Sequence, residues 1–467
     1  MNLRRINQQK LKRYIGDRAF YKAVLIISVP IMIQNGITNF VGLLDNIMIG
    51  RVGTEQMSGA SVVNQLLFVY NLCIFGAISG AGIFTAQFYG QKDEKGIRDT
   101  FRYKLVISVI LTAGAIALFL LWGEELVSLY LSGDGTAQAR EATLRYGVTY
   151  LNIMLAGLPA FFLAQCYAGT LRECGETVLP MNAGLLAVFV NLALNYLLIY
   201  GKLGFPRWGV AGAAVATVIS RYVECGIIMI VAHRKKTEYP YLTGLYRTLR
   251  IPGILWRKIL LKGTPLMVNE AMWSAGMAML FQCYSVLGLN VVAATNISNT
   301  IFNVFSIVFI ALGNAVAIIV GQLLGAGDME EAQDTAAKLI VFSVAACLVV
   351  TAVMYPLAPF FPRIYNTDKS VRDIAAALIR IMAVFMPVSA FLNSCYFTLR
   401  AGGKTIITFL FDSVFVWLVS VPAAFFLTRY TGWDIRQVYF AVTSLDLIKC
   451  LLGYILVKKG VWLVRIT

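Results

Sequence analysis

From Phe20 onward, apolar runs of about twenty or more residues alternate with short polar connections. Each run is long enough to cross a ~30 Å hydrocarbon layer as an α-helix. Twelve such runs predict spans over 21–50, 59–90, 103–122, 146–171, 180–200 and 209–232, then 263–287, 291–325, 339–360, 374–399, 405–427 and 438–457. The longest polar connection begins at His233 and falls between the sixth and seventh spans. It divides the chain into a tail (1–20), a first six-span half (21–232), a linker (233–262), a second half (263–457) and a final tail (458–467).

The halves repeat. A shift of 235 residues lays Pro30 on Pro265, Met32 on Met267, Asn64 on Asn299, Gln87 on Gln322, Gly90 on Gly325 and Asp93 on Asp328. A shift of 228 lays TLRECGET (170–177) on TLRAGGKT (398–405), Pro159 on Pro387 and Arg221 on Lys449. These coincidences predict one duplicated unit. An even span count per half gives both copies the same orientation, about an axis along the membrane normal.

Composition agrees, with 58% hydrophobic and only 14% charged residues in a chain of 467 and a mean hydropathy of +0.72. A soluble globular fold is excluded. The net charge of +16 would suggest a nucleic-acid partner in a soluble protein. Here 27 of the 40 Lys and Arg fall on the side that carries both termini and the linker, against 11 on the other. The positive-inside rule therefore predicts cytoplasmic termini in a multi-pass plasma-membrane protein, with the basic clusters beside anionic lipid and no nucleic-acid partner. The first twenty residues are polar and basic, so no cleavable signal is expected. The eight cysteines show no CxxC and no metal-ligand spacing with histidine, and read as small packing residues.

Charges inside a span cost about 2.5 to 3.5 kcal/mol, so each one present calls for a reason. Asp45, in NFVGLLDNIMIG, has no basic residue within a helical turn. Such a carboxylate can take up a proton or hold a desolvated cation. Glu270, in GTPLMVNEAMW, also lacks an adjacent cation, and the 235 shift sets it on Asn35 rather than on Asp45. The two halves are chemically unequal. Asp45 and Glu270 are the candidates for a sodium ion, and no other metal site is expected. Asp412, near the start of the eleventh span, is a further cavity candidate. Arg221 with Glu224, and Lys449 with Asp446, are three apart and predict local neutralisation.

Amides cluster on the first, second, fifth, seventh and eighth spans and predict a polar cavity. The first two spans offer Gln34, Asn35, Asn39, Asn64 and Gln65, and the fifth Asn191 and Asn195. Asn152, Asn269, Asn299 and Asn303 complete the candidate lining. No HExxH, GxSxG or Walker-type loop is present. An enzyme is not expected, nor is a cofactor, and uphill transport would draw on a proton or sodium gradient. One charge crossing ~100 mV releases about 2.3 kcal/mol, enough for roughly a forty-fold concentration ratio.

LLDNIMIGRVG, TAQFYGQKD with its repeat GQLLGAGD, NLALNYLLIYG followed by GVAGAAVATVISR, and TLRAGGKT together resemble the multidrug and toxic compound extrusion (MATE) family over nearly the whole chain. The resemblance implies an all-α membrane fold, with two six-helix bundles forming a V around a central cavity. It implies exchange of amphipathic organic cations for protons or sodium ions by alternating access. Asp45 matches the family's span-one carboxylate, and Asn191, Asn195 and Thr217 match first-lobe positions that contribute to an ion or proton site in some members. Some members carry aspartate where this chain has Asn195. A monomer is expected, with small amphipathic cations and membrane lipid as partners. The alternatives are a lipid-linked oligosaccharide flippase of the same superfamily and, from another class, a channel or integral-membrane enzyme.

Overall fold

The computed structural model describes residues 14–131, 136–365 and 367–467. The described residues are helical with short connections and contain no strand. In chain order the first half holds α1 (Arg18–Gly50), α2 (Thr54–Gly90), α3 (Glu94–Leu129), α4 (Ala137–Leu155), α5 (Leu158–Glu173), α6 (Val178–Tyr200) and α7 (Val210–Arg234). The second holds α8 (Gly253–Ser285), α9 (Leu289–Ala326), α10 (Met329–Leu357), α11 (Lys369–Ala401), α12 (Thr405–Tyr430) and α13 (Ile435–Lys458). Among the described residues ten helices are long and apolar enough to cross a membrane, and the bent pair α4 and α5 makes an eleventh. The remaining expected run lies in α8. Its 33 residues suffice in length, but Asn269, Glu270 and Gln282 dilute its apolar character.

The fourth expected span is broken. α4 and α5 meet at 49°, because Pro159 opens α5 with no N–H to give the preceding turn. Gly157 fills the break, where a Cβ would lie 3.1 Å from Cγ2 of Val218. A single continuous helix over 146–171 was the simpler reading of the hydropathy, and the proline overrides it.

The chain forms two compact units. The amino-terminal unit comprises Ile33–Thr85 and Asp93–Gly263, and the carboxy-terminal unit comprises the described residues 14–32, Ala86–Lys92 and Thr264–Thr467. The start of α1 belongs to the latter because Val24 and Ile31 are buried against Leu312, Val316, Ala311 and Ile318 of α9.

In the amino-terminal unit the linker is fastened to α3. Arg98 donates to the carbonyl of Tyr241 at 3.1 Å, and Arg102 to those of Leu245 and Gly244 at 3.0 and 2.9 Å. Buried Lys104 pairs with Glu173 and donates to Thr170 at 3.0 Å.

The duplicated TLR segments fold alike. Gly175 and Gly403 turn the chain at φ +88° and +68°, a conformation that costs a residue with a Cβ. The N–H of Glu176 then closes on the carbonyl of Leu171 at 2.9 Å and that of Lys404 on Leu399 at 3.2 Å, giving both helices the same C-terminal cap. The copies diverge one helix later. α6 is regular, whereas its counterpart α12 contains wide π turns over Leu410–Val414 and Val416–Ser420. All eight cysteines are free thiols, six of them buried.

Candidate functional site

In the amino-terminal unit a chain of hydrogen bonds ends on a carboxylate. Asn191 and Asn195 stand one turn apart on α6, so their side chains share a face. Thr217 of α7 donates to the carbonyl of Ala213 at 3.0 Å and accepts from Asn191 Nδ2 at 3.3 Å. Asn191 Oδ1 accepts from Asn195 Nδ2 at 3.0 Å. The same Asn195 Nδ2 donates to Asp45 Oδ1 at 2.6 Å. Asn191 and Asn195 are 5% and 1% exposed, so the amides form a dry backing that positions the carboxylate. Asn195 Oδ1 is buried with no hydrogen-bond partner among the described residues, leaving a spare oxygen donor beside Asp45.

Asp45 opens into a cavity of about 310 Å³ within the same unit. Its polar walls are Asp45, Asn64, Asn71, Tyr150, Thr217 and Arg221, and its apolar walls include Phe68, Met154 and Phe161. Gly157 and Leu158 at the α4–α5 break also line it, so the bend shapes the wall. Tyr150 donates its hydroxyl to Asn64 Oδ1 at 3.3 Å. Arg221 pairs with Glu224 at 3.1 Å as its spacing predicts, and its guanidinium lies 5.3 Å from the Phe161 ring. No described Lys or Arg nitrogen forms an ion pair with Asp45. Arg221 is in electrostatic reach of Asp45 without pairing with it, and a carboxylate with no ion pair among oxygen donors suits a proton or a hard monovalent cation.

The carboxy-terminal unit holds a second cluster. Asn269 is 1% exposed, and its Nδ2 reaches Tyr396 Oη and Asp412 Oδ2, each at 3.3 Å. Ser413 Oγ lies 2.7 Å from Asn269 Oδ1 and 2.8 Å from its carbonyl oxygen, and can donate to either. Glu270 is half-buried and within electrostatic reach of Arg400 and Asp412. Lys449 departs from the expected pairing with Asp446. Its ammonium lies 3.3 Å from Asp412 Oδ1, on another helix. A lysine stem spans several ångströms, so a neighbouring helix can outcompete a partner on its own.

The remaining sequence-derived candidates scatter. Gln34 accepts from Arg172 Nη2 at 2.7 Å and donates to the carbonyl of Pro180 at 3.4 Å, tying α1 to the α5–α6 turn. Asn35 is half-buried, and Asn39, Gln65, Asn152, Asn299 and Asn303 are exposed. Asp45 and Glu270 fall in different units. Among the described residues no three His, Cys, Asp or Glu side chains are grouped to hold a metal ion. Sequence reasoning missed Tyr150 as a cavity residue. Its only signal is an amphipathic position on a helix whose bend the hydropathy does not show.

The MatE family model matches residues 30–197 and again 265–426. The chain belongs to the MatE family. The two matches start at the 235-residue offset of the internal repeat, so each half of this MatE protein is one copy of the family unit. It is 26% identical over 449 residues to a probable multidrug resistance protein NorM of Thermotoga maritima, covering 94% of this chain and 93% of that one. It is 23% identical over 435 residues to a probable multidrug resistance protein YoeA of Bacillus subtilis, covering 93% and 92%. Its fold is similar to that of a multidrug resistance MATE family transporter solved in an outward-facing conformation, with a TM-score of 0.82, 20% identity and coverage of 96% and 97%. A MATE structure in a bent conformation gives 0.84, 22% identity and 96% of each chain. The family resemblance and the all-helical membrane fold read from the sequence are borne out. The family is one of membrane transporters.

Proposed function

We propose that this MatE protein is a secondary active multidrug exporter that exchanges amphipathic organic cations for protons or sodium ions by alternating access. The observation that carries this reading is Asp45, held by the Asn195–Asn191–Thr217 chain and lining a cavity without an ion-pair partner. One carboxylate that binds either the coupling ion or the cationic substrate makes their occupancy mutually exclusive, and exchange follows without ATP. Phe68, Phe161 and Met154 offer a cation's apolar portion adaptable contacts. Glu270, which is not the repeat equivalent of Asp45, is the coupling acid proposed for the second half. The names of the NorM and YoeA relatives support multidrug export as the task. A flippase for pyrophosphate-linked sugars fits less well, because the single cavity guanidinium, Arg221, is already paired with Glu224.

The test is reconstitution into liposomes under separately imposed proton and sodium gradients, with tetraphenylphosphonium as substrate. Accumulation against the substrate's own gradient under at least one ion gradient is the expected result. Equilibration without accumulation under both would leave a channel and overturn the proposal.

Both termini and the linker are proposed to be cytoplasmic, on the strength of the 27 to 11 split of basic residues. Single cysteines placed in a cysteine-free background beside Lys235 and after Lys458 should label only from the cytoplasmic side. Labelling beside Lys235 from outside intact cells would refute this orientation.

A further inference from the structure

Arg221 and Lys449 are repeat equivalents, yet the fold uses them differently. In the amino-terminal unit Arg221 stays on its own helix with Glu224, 3.1 Å away, which leaves Asp45 without a paired cation. In the carboxy-terminal unit Lys449, only 7% exposed, crosses from α13 to Asp412 on α12 at 3.3 Å. Its ammonium lies 5.5 Å from the Phe411 ring and 5.6 Å from the Phe415 ring. The second Asp412 oxygen accepts from Asn269 at 3.3 Å, and Asn269 is held in turn by Ser413 and Tyr396. The π turn over Leu410–Val414 carries both Phe411 and Asp412, and such turns recur at functional sites. A carboxylate with two aromatic rings around an ammonium is the arrangement by which proteins recognise organic amines. Here the amine belongs to the chain. Glu270, Asp446 and Arg400 are the other charges in electrostatic reach of this cluster.

We infer that Asp412, Phe411, Phe415 and Asn269 form a site for a primary alkylammonium, which Lys449 keeps filled with its own side chain. Asp412 is thereby withheld from cationic substrates, and an amine can reach it only by displacing Lys449. Lys449 acts as a tethered competitor that sets which acids of the second unit are open. The site stands on its own geometry and is independent of the coupling role proposed for Asp45.

The test is binding rather than transport, in purified protein carrying Asp45→Asn so that the first unit contributes no carboxylate. n-Butylammonium, which reproduces the lysine stem and head, is titrated calorimetrically. Adding Lys449→Ala should tighten its binding by at least about tenfold, and adding Asp412→Asn to that variant should abolish the gain. Equal affinity with and without Lys449, or a gain that survives Asp412→Asn, would overturn the inference. Should Lys449→Ala not yield folded protein, the neutral pair Asp412→Asn/Lys449→Met decides. Its recovery of folded protein supports a counter-cation for Asp412, and its failure makes Lys449 a packing element and overturns the inference. Because no transport is measured, failure here is distinguishable from failure of the exchange mechanism.

Discussion

Replacing Asp45 by asparagine should reduce gradient-driven accumulation of organic cations by about a hundredfold or more, a loss of roughly 2.7 kcal/mol of driving interaction. The substitution keeps shape and keeps an oxygen to accept from Asn195 Nδ2, which lies 2.6 Å from the carboxylate. It removes only the charge that a proton or cation would neutralise. Folding should therefore be near normal, with a change within about 1 kcal/mol, since an intramembrane charge without an ion pair is itself costly. The measurement is tetraphenylphosphonium accumulation in proteoliposomes, with expression and thermal midpoint read on the same preparations. Glu270→Gln belongs beside it. Each acid has one arginine in electrostatic reach, Arg221 for Asp45 and Arg400 for Glu270, but of the two Asp45 lines the cavity, so the Glu270 change should cost less. Full accumulation by Asp45→Asn at parental yield would remove Asp45 from the coupling mechanism.

Gly325→Ala should destabilise the protein by about 3 kcal/mol or more, the upper end of the usual cost of overpacking. A Cβ there would sit 2.0 Å from the carbonyl oxygen of Gln87 and 2.6 Å from its carbon and Cα, all backbone atoms. No rotamer change relieves a backbone clash, so α2 and α9 must move apart. The contact is reciprocal across the repeat, since a Cβ on Gly90 would lie 1.9 Å from the carbonyl oxygen of Gln322. Separation would also pull Gln87 from the carbonyl of Ala401, 3.1 Å away, and from the N–H of Ile466, 2.9 Å away. Gly114→Ala is the control, with nothing within 4 Å of its added Cβ. It should be neutral, or stabilising by up to about 1 kcal/mol through helix propensity. Thermal unfolding of the three proteins in one detergent tests the ranking, and equal midpoints for Gly325→Ala and the parent would show that the crossing is not tight.

The spans, the duplication and the candidacy of Asp45 were legible in the chain alone, because each rests on a local property. A run of apolar residues records the thickness of the hydrocarbon layer, a repeat records a copied backbone path, and a charge within a span must be explained wherever its neighbours lie. Pro159 is the local signal of a break, and at the 49° bend beside the cavity it outweighs the continuous hydropathy. What only the tertiary structure decided is which partner each polar side chain meets. The repeat equates Arg221 with Lys449, yet one pairs along its own helix and the other across to Asp412, which a wide turn of α12 carries and which lies within that lysine's reach. Likewise the line from Thr217 through Asn191 and Asn195 to Asp45 joins three helices far apart in sequence. Helix periodicity says which residues share a face, but interactions of a few ångströms depend on which neighbouring helix packs there, and that is a property of the assembled fold.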